Sequence, residues 1–345
     1  MTVEPLSCWV LTDGKAGDEV QCLGVAQALQ AENPNIIVSI RHVHPRAPFV
    51  WTMPWSGIDP REAPHRSGSP LAPPFPDILI ASGRRAVPYV RAVKRASSGR
   101  TFTVFLKDPR TGPRTADLIW VAEHDKLRGD NVLVTLTAPH RVSQERLAAA
   151  RAAPPAALAL LKSPRVAVLA GGNSRHHRFL DSDVARLLQQ LEALTAEGAT
   201  LMVTASRRTP SALVEGLRAL VERTGGYLWD GVTGNPADNP YIALLALADW
   251  VVVTADSSNM LGEAAATGAP LLIFEPSGGH AKFKTLLQGL KTCGIARELR
   301  GRLEGDAYLP LDTTAAIACT IAQSFMAHRS RLATITGELP GMDIS

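Results

Sequence analysis

Short runs of aliphatic and β-branched residues alternate along the chain with longer stretches whose apolar positions recur at helical spacing. This alternation predicts a βαβ series. In the first half, strands are expected at Cys8–Thr12, Asn35–His42, Pro76–Ser82, Thr101–Leu106, Asp117–Val121 and Val132–Thr135. Helices are expected up to Gln30 and over Ala86–Ala96. A helix at Ser143–Ala152 is expected to close this half, before the Ala/Pro-rich change of character over Ala148–Ser163. The pattern restarts with strands at Arg165–Ala170, Thr200–Thr204, Gly226–Trp229, Trp250–Thr254 and Leu271–Phe274. Helices at Asp181–Ala196, Pro210–Arg223, Tyr241–Leu247 and Ser258–Thr267 lie between them. Right-handed crossovers make a parallel sheet the natural outcome of each half. The expected fold class is therefore α/β, with two Rossmann-like doubly wound domains, 1–155 and 163–312, facing a cleft. A last helix within 313–330, roughly Thr314–His328, could cross back onto the first domain.

Residues 45–75 break the alternation. Many prolines accompany Phe49, Trp51, Met53, Trp55 and Leu71, together with Arg46, Arg61, His65 and Arg66. A loop this long is uncommon unless it has a function. Aromatics beside basic residues suit a lipid interface or a lipid-linked acceptor, so peripheral membrane contact is expected here. The alternative is an excursion whose tryptophans pack back on the domain.

Composition narrows the classes. The 345 residues are 46% hydrophobic and 20% charged, which is globular. A net charge of +4 suits phosphate-bearing ligands or an anionic surface and is too small to argue for nucleic acid. Cys8, Cys22, Cys293 and Cys319 show no metal-ligand spacing and read as reduced, mostly buried residues. The first residues lack the pattern of a signal peptide, and no run is long and apolar enough to cross a membrane. The expectation is a cytoplasmic protein able to sit on the inner membrane.

The most informative segment is Thr254-Ala-Asp256-Ser257-Ser258-Asn259-Met260-Leu-Gly-Glu263. A buried strand delivers a polar turn that opens a helix, whose free N–H groups and positive dipole end suit a diphosphate. Ser257 and Ser258 can cap the helix and donate to phosphate. Glu263, about a turn in, can accept both hydroxyls of a ribose. Capping alone would leave Asp256 and Ser257 as structural residues and Glu263 as a solvated one. Gly171-Gly172-Asn173-Ser174 follows a strand and lets backbone approach an anion. Ser206, Arg207 and Arg208 end the next strand, where two guanidinium forks can pair with phosphate.

The segment Thr254–Pro270 resembles the donor-site helix of GT-B glycosyltransferases, including the enzyme that adds N-acetylglucosamine to a lipid-linked peptidoglycan precursor. Over nearly its full length the chain resembles the mitochondrial fission "elongated mitochondria" family of plants and bacteria. The matching pieces are Thr12–Glu19 with Gln21, Pro76-Asp77, Ser82–Arg85, Lys107–Arg110, Glu123–Asp125, Asn131-Val132, Gly171-Gly172, Thr204–Pro210 and Asp256-Ser257-x-Asn259-Met260. The plant members are associated with recruiting a dynamin-like GTPase to mitochondria; the bacterial role implied is sugar transfer at the cell envelope.

The resemblance also makes Asp13-Gly14-Lys15-x-Gly17-Asp18 similar to the acceptor-side loop of GT-B enzymes, with Asp13 or Asp18 as general base. Arg84, Lys107 and Arg110 end later strands and could hold an anionic acceptor, and His124 is a further base candidate. Asp181-Ser182-Asp183 spells a metal-binding DxD but opens a helix, so it is read as a cap. No metal and no cofactor beyond the nucleotide-sugar substrate are expected. The function expected is an inverting, metal-independent glycosyltransferase with a UDP-sugar or similar donor and an envelope or lipid-linked acceptor. The alternatives are a nucleotide-sugar epimerase on the same fold and a non-catalytic adaptor.

Overall fold

A computed structural model describes residues 5–231 and 238–336; the first four residues, part of the expected first domain, lie outside the described set. The chain divides into two compact units. One comprises residues 1–135, 139–141 and 313–345, and the other 136–138 and 142–312.

The first unit opens with β1 (Leu6–Thr12), α1 (Ala16–Glu32), β2 (Ile36–His42) and the single helical turn α2 (Phe49–Thr52). It continues with β3 (Ile78–Ser82), α3 (Val87–Ala96), β4 (Phe102–Leu106), β5 (Leu118–Ala122) and β6 (Val132–Thr135). Its strands form one parallel sheet in the order β2-β1-β3-β4-β5-β6. Strands β3, β4 and β5 are buried at every position, as expected where helices cover both faces of a parallel sheet.

The second unit begins with α4 (Gln144–Ala152), α5 (Ala156–Ala159), β7 (Arg165–Ala170), β8 (His177–Arg178) and α6 (Asp181–Ala196). Next come β9 (Thr200–Ala205), α7 (Ser211–Thr224), β10 (Tyr227–Trp229), α8 (Tyr241–Leu247), β11 (Trp250–Thr254) and α9 (Ser258–Ala265). It ends with β12 (Leu271–Phe274), β13 (Ser277–Gly278), α10 (Ala281–Thr292) and β14 (Ala296–Glu298). The main sheet, again parallel, runs β10-β9-β7-β11-β12-β14. This is the dinucleotide-fold order, in which the first and fourth strands lie side by side and the winding reverses between them.

Successive side chains of a strand point to opposite faces, and the two cores of this unit follow that rule. Ala167 and Leu169 of β7 join Val251 and Val253 of β11 in one core. Val166, Val168 and Ala170 join Val252 and Phe274 in the other. Each fully buried aliphatic side chain contributes about 1.5–3 kcal/mol relative to exposure.

One connection differs from the sequence-based expectation, and one agrees with it. Helix α4, expected to close the first domain, belongs to the second unit. Leu147 is wholly buried in the core that holds Leu244 and Leu245 of α8, and Arg151 Nε donates to Ala246 O at 2.7 Å. The break therefore falls at residue 135 and not in the Ala/Pro-rich stretch, because the one apolar face of α4 is covered by α8. The last helix, α11 (Thr313–Thr336), lies in the first unit, where Ile317, Ala318, Ile321 and Phe325 are buried. His140 N–H donates to Thr314 Oγ1 at 2.8 Å, and Phe325 packs on Phe102 of β4 with ring centroids 6.0 Å apart.

The Pro-rich excursion is a built structure. Met53 and Leu71 are wholly buried, and the Asp59 carboxylate is clamped by Arg46 and Arg61 at 3.1 Å each. Trp51 and Trp55 nevertheless stay 73% and 69% exposed. Of the cysteines, Cys8 and Cys22 are buried, whereas Cys293 and Cys319 are exposed; "mostly buried" holds for half of them. Burial pushes the Cys8 thiol up to about 12. No helix among the described residues is long and apolar enough to cross a membrane.

Candidate functional site

In open parallel sheets, ligands bind beyond the carboxyl ends of the strands where the winding reverses. In the second unit that point lies between β7 and β11. Strand β7 leads into Gly171-Gly172, β11 into Asp256, and the neighbouring β9 into the Ser206–Thr209 turn.

These three strand ends are tied together by one carboxylate. Asp256, its side chain wholly buried, accepts from Gly172 N–H at 3.0 Å and from Thr254 Oγ1–H at 2.7 Å. Thr254 Oγ1 accepts in turn from Gly171 N–H at 2.8 Å. Arg208 closes the knot, with Nη2 3.5 Å from Asp256 Oδ2 and Nη1 donating to Asn173 O at 3.1 Å. Thr209 Oγ1–H donates to Gly171 O at 2.6 Å. The glycines are required by close approach. A Cβ on Gly171 would stand 2.1 Å from Asp256 Oδ1, and one on Gly172 would stand 2.0 Å from Arg208 O.

This geometry revises the roles expected from sequence. The Gly172 N–H faces Asp256 and not an open anion site, and Asp256 and Arg208 hold the loop in shape. Buried polar groups must be paired, and here they pair with one another. Asn173 Oδ1 accepts from Phe179 N–H at 2.9 Å, Ser174 Oγ accepts from His177 N–H at 3.1 Å, and the Ser206 N–H donates to Thr209 Oγ1 at 2.9 Å. Arg207 is exposed and takes part in none of the ion pairs among the described residues.

The opening of α9 is only partly covered. Ser257 is the N-cap, its Oγ accepting from Met260 N–H at 3.5 Å, and Ser258, Asn259 and Met260 are half-buried. Glu263 lies beyond the first turn of the same helix. Its Oε2 accepts from the Tyr241 hydroxyl at 2.5 Å, and Oε1 takes no hydrogen bond among the described residues. Burial pushes the Glu263 carboxyl up to about 6, partly offset by the Tyr241 hydrogen bond. Burial also drives the Tyr241 phenol well above its ordinary range, followed by the charge and hydrogen bond of Glu263.

In the first unit the winding reverses between β1 and β3. Asp13 follows β1, Ser82 ends β3 and Arg85 follows it, Lys107 and Arg110 follow β4, and His124 follows β5, so all lie at the carboxyl edge of one sheet. Asp13 is held by Lys15 at 3.2 Å and Arg85 at 3.4 Å, its side chain only 2% exposed. Asp18 Oδ1 accepts from the Lys107 ammonium and from Ser82 Oγ–H at 3.2 Å. A general base must reach its proton at hydrogen-bond distance. In this arrangement Asp13 is shielded from solvent and Asp18 is occupied by Lys107. His124 is partly exposed, its Nε2 3.7 Å from Asp125 Oδ1. Lys107 and Arg110 adopt left-handed backbone at φ 86° and 61°. Gly14 does the same at φ 81°, while Gly17 and Arg84 stay exposed.

A family model described as "Mitochondrial fission ELM1" matches residues 16–325. The chain belongs to this family. It is 27% identical over 282 residues to the mitochondrial fission protein ELM1 of Arabidopsis thaliana, covering 73% of this chain and 65% of that one. To an uncharacterized protein of Rickettsia prowazekii it is 31% identical over 170 residues, 48% of each. The chain thus spans less than two thirds of the length of these curated relatives. Among solved structures, a putative UDP-N-acetylglucosamine 2-epimerase from Listeria monocytogenes superposes with a TM-score of 0.50 at 12% identity, over 94% of this chain and 97% of that one. That likeness establishes the fold of this ELM1-family chain: mixed α/β with two parallel sheets, of the GT-B type.

Three contributors to the site escaped the sequence reading: Thr254, Thr209 and Tyr241. Thr254 ends a β-branched strand and Tyr241 opens a predicted helix, so local pattern gave neither a polar role. Their function appears only when β7, β9, β11 and α8 come together. The Asp181–Asp183 triplet has the capping role expected, though through a different residue. Leu180 is the N-cap, and Asp183 reaches back to accept from Leu180 N–H at 3.1 Å and from Ser277 N–H at 3.0 Å. Burial raises the Asp183 pKa, and these hydrogen bonds with that of Arg186 outweigh it, so the net shift is downward.

Proposed function

We propose that this ELM1-family chain binds a nucleoside-diphosphate sugar, with UDP as the nucleotide, and transfers the sugar to an acceptor of the cell envelope. The observation that carries the reading is Glu263. It is a carboxylate inside a helix that opens at the winding reversal, with one oxygen fixed by Tyr241 and the other left for a ribose hydroxyl. A charged group pushed up by burial is uncommon unless it serves a site. Ser257, Ser258 and the first N–H groups of α9 hold the diphosphate, with Arg207 neutralising charge as it departs. The Gly171-Gly172 loop, stiffened by Asp256, shapes the site.

On the first unit, His124 is the base assigned to the acceptor hydroxyl, its side chain being 21% exposed against 2% for the ion-paired Asp13 and 13% for the ion-paired Asp18. Arg84 and Arg110 supply cations for an anionic acceptor. A second reading is favoured by that same pairing of Asp13 and Asp18: a binding protein that keeps the nucleotide site and recruits a partner. Its Arabidopsis relative, a mitochondrial fission protein, fits this role.

Thermal-shift titration with UDP, GDP, CDP and dTDP and their sugars tests the reading. A ligand at 100 times its Kd stabilises by about 2.7 kcal/mol. The expected result is a shift of several degrees with the uridine ligands that is lost in Glu263→Ala. No shift with any nucleotide at millimolar concentration overturns it. Release of UDP from a UDP-sugar in the presence of envelope lipids, abolished in His124→Ala while the UDP shift persists, separates transferase from recruiter.

A further inference from the structure

The first unit carries an exposed patch unrelated to the carboxyl edge of its sheet. Helix α3 presents Arg91, Lys94 and Arg95 at helical neighbour spacing. Together with Arg114 and Trp55 they line a cavity of about 480 Å³ whose lining residues include no acid. Lys94 is neutralised by Asp117 at 2.6 Å. Arg91, Arg95 and Arg114 enter none of the ion pairs among the described residues. Nearby in the chain Arg46 and Arg61 are both consumed by the buried Asp59, whereas the three arginines of this cavity keep their charge uncompensated by any ion pair among the described residues.

Trp55, which lines this cavity, and Trp51, four residues earlier in the chain, are the two most exposed tryptophans of the unit, on a segment that is otherwise anchored. Met53, between them, is wholly buried, and Trp55 N–H donates to Thr52 O at 3.1 Å. A tryptophan held outward on a fixed turn costs apolar exposure with no return inside the fold. Indole rings partition to the level of lipid headgroups, and unpaired arginines are drawn to an anionic leaflet. Trp and Arg together could also anchor a protein partner. The acid-free cavity and two protruding indoles on a short turn match a phosphate-lined apolar boundary better, since both indoles can enter the lipid while the guanidinium groups meet phosphate.

We infer that Trp51 and Trp55 with Arg91, Arg95 and Arg114 form a docking surface for an anionic phospholipid bilayer. Binding is peripheral: the indoles enter the interface and the arginines take phosphate oxygens through fork geometry. It does not depend on the nucleotide site.

The full chain is sedimented, without nucleotide, with vesicles of phosphatidylcholine alone and of phosphatidylcholine with phosphatidylglycerol. Expected is binding to the anionic vesicles only, weakened by added salt. R91E/R95E should partition at least tenfold more weakly, each arginine near an anionic surface being worth roughly fivefold. Brominated lipids should quench wild-type tryptophan fluorescence and fail to quench additionally in W51F/W55F, relative to lipid-free protein. The phenylalanine pair keeps the fold's apolar contacts, so the quenching readout stands even if R91E/R95E melts early. Absence of binding to anionic vesicles overturns the inference and leaves the patch to a protein partner. Equal binding to neutral vesicles, wild-type partitioning by a folded R91E/R95E, or unchanged quenching in W51F/W55F also overturns it. None of these outcomes depends on whether UDP binds.

Discussion

Replacing Glu263 by Gln should make the protein more stable and functionally worse. The carboxyl rises from its ordinary 4.5 to about 6 because burial disfavours the charge. The native state therefore holds the proton more tightly than the unfolded chain. The stability this proton contributes is complete below the unfolded value near 4.5 and lost as pH rises through about 6. At pH 8 the ionised group costs about 2 kcal/mol, at 1.36 kcal/mol per pKa unit. Glutamine keeps the shape and the acceptor for the Tyr241 hydroxyl while removing the charge. In a unit of this size, about 2 kcal/mol corresponds to a Tm rise of roughly 4–8 °C. The assay is scanning calorimetry of wild type and Glu263→Gln between pH 4 and pH 8. The gap should be full at pH 8, about 0.8 kcal/mol at pH 5 and nearly closed at pH 4, and the variant should lose the UDP-induced shift. A variant that melts at or below wild type at pH 8, or a gap independent of pH, refutes the reasoning. Retaining a group at a stability cost is what a ligand site requires.

Three further outcomes follow from the geometry. Gly172→Ala places a methyl group 2.0 Å from the Arg208 carbonyl, so thermal melting should show a loss of about 1–3 kcal/mol together with a weakened UDP shift. Asp256→Ala strands the Gly172 N–H and the Thr254 hydroxyl in a buried setting, and urea unfolding should show a loss of about 2–4 kcal/mol. Burial raises the Asp117 carboxyl, but the Lys94 ammonium and the Thr103 hydroxyl and N–H outweigh that and hold it below the usual range. Its contribution is therefore present above the unfolded value of about 3.9 and lost as pH falls through the native one. Asp117→Asn should accordingly be less stable at pH 7 and show a flatter acid limb in urea midpoints below pH 4.

The sequence alone determined the fold class, because strand and helix periodicity are local properties. The short, β-branched and aromatic apolar runs at Ile78–Ser82, Phe102–Leu106 and Val251–Thr254 are the pattern of strands buried on both faces, and the helices between them favour parallel sheets. It also marked the turns that follow β7 and β11, since Gly-Gly after Ala170 and Asp-Ser-Ser after Ala255 are local turn signals. It did not find α10 or β14, although Phe283, Leu286, Leu287 and Leu290 repeat at helical spacing. It placed α4 in the wrong unit, because which neighbour covers Leu147 is not written in α4 itself.

What tertiary structure decided is which polar groups remain for a ligand. Asp256, Arg208 and the Gly172 N–H carry the same residue chemistry whether they face a diphosphate or one another. Only the adjacency of β7, β9 and β11 turns them inward. Asp18 is likewise a base by residue type, and Lys107, distant in sequence, makes it a member of an ion pair. Glu263 acquires its raised proton affinity from burial, which outweighs the opposing hydrogen bond of Tyr241. The exposure of Trp51 and Trp55 follows from the burial of Met53 and Leu71, which fixes how the segment lies. Each of these is a contact between residues far apart in the chain, and a local pattern holds no record of such contacts.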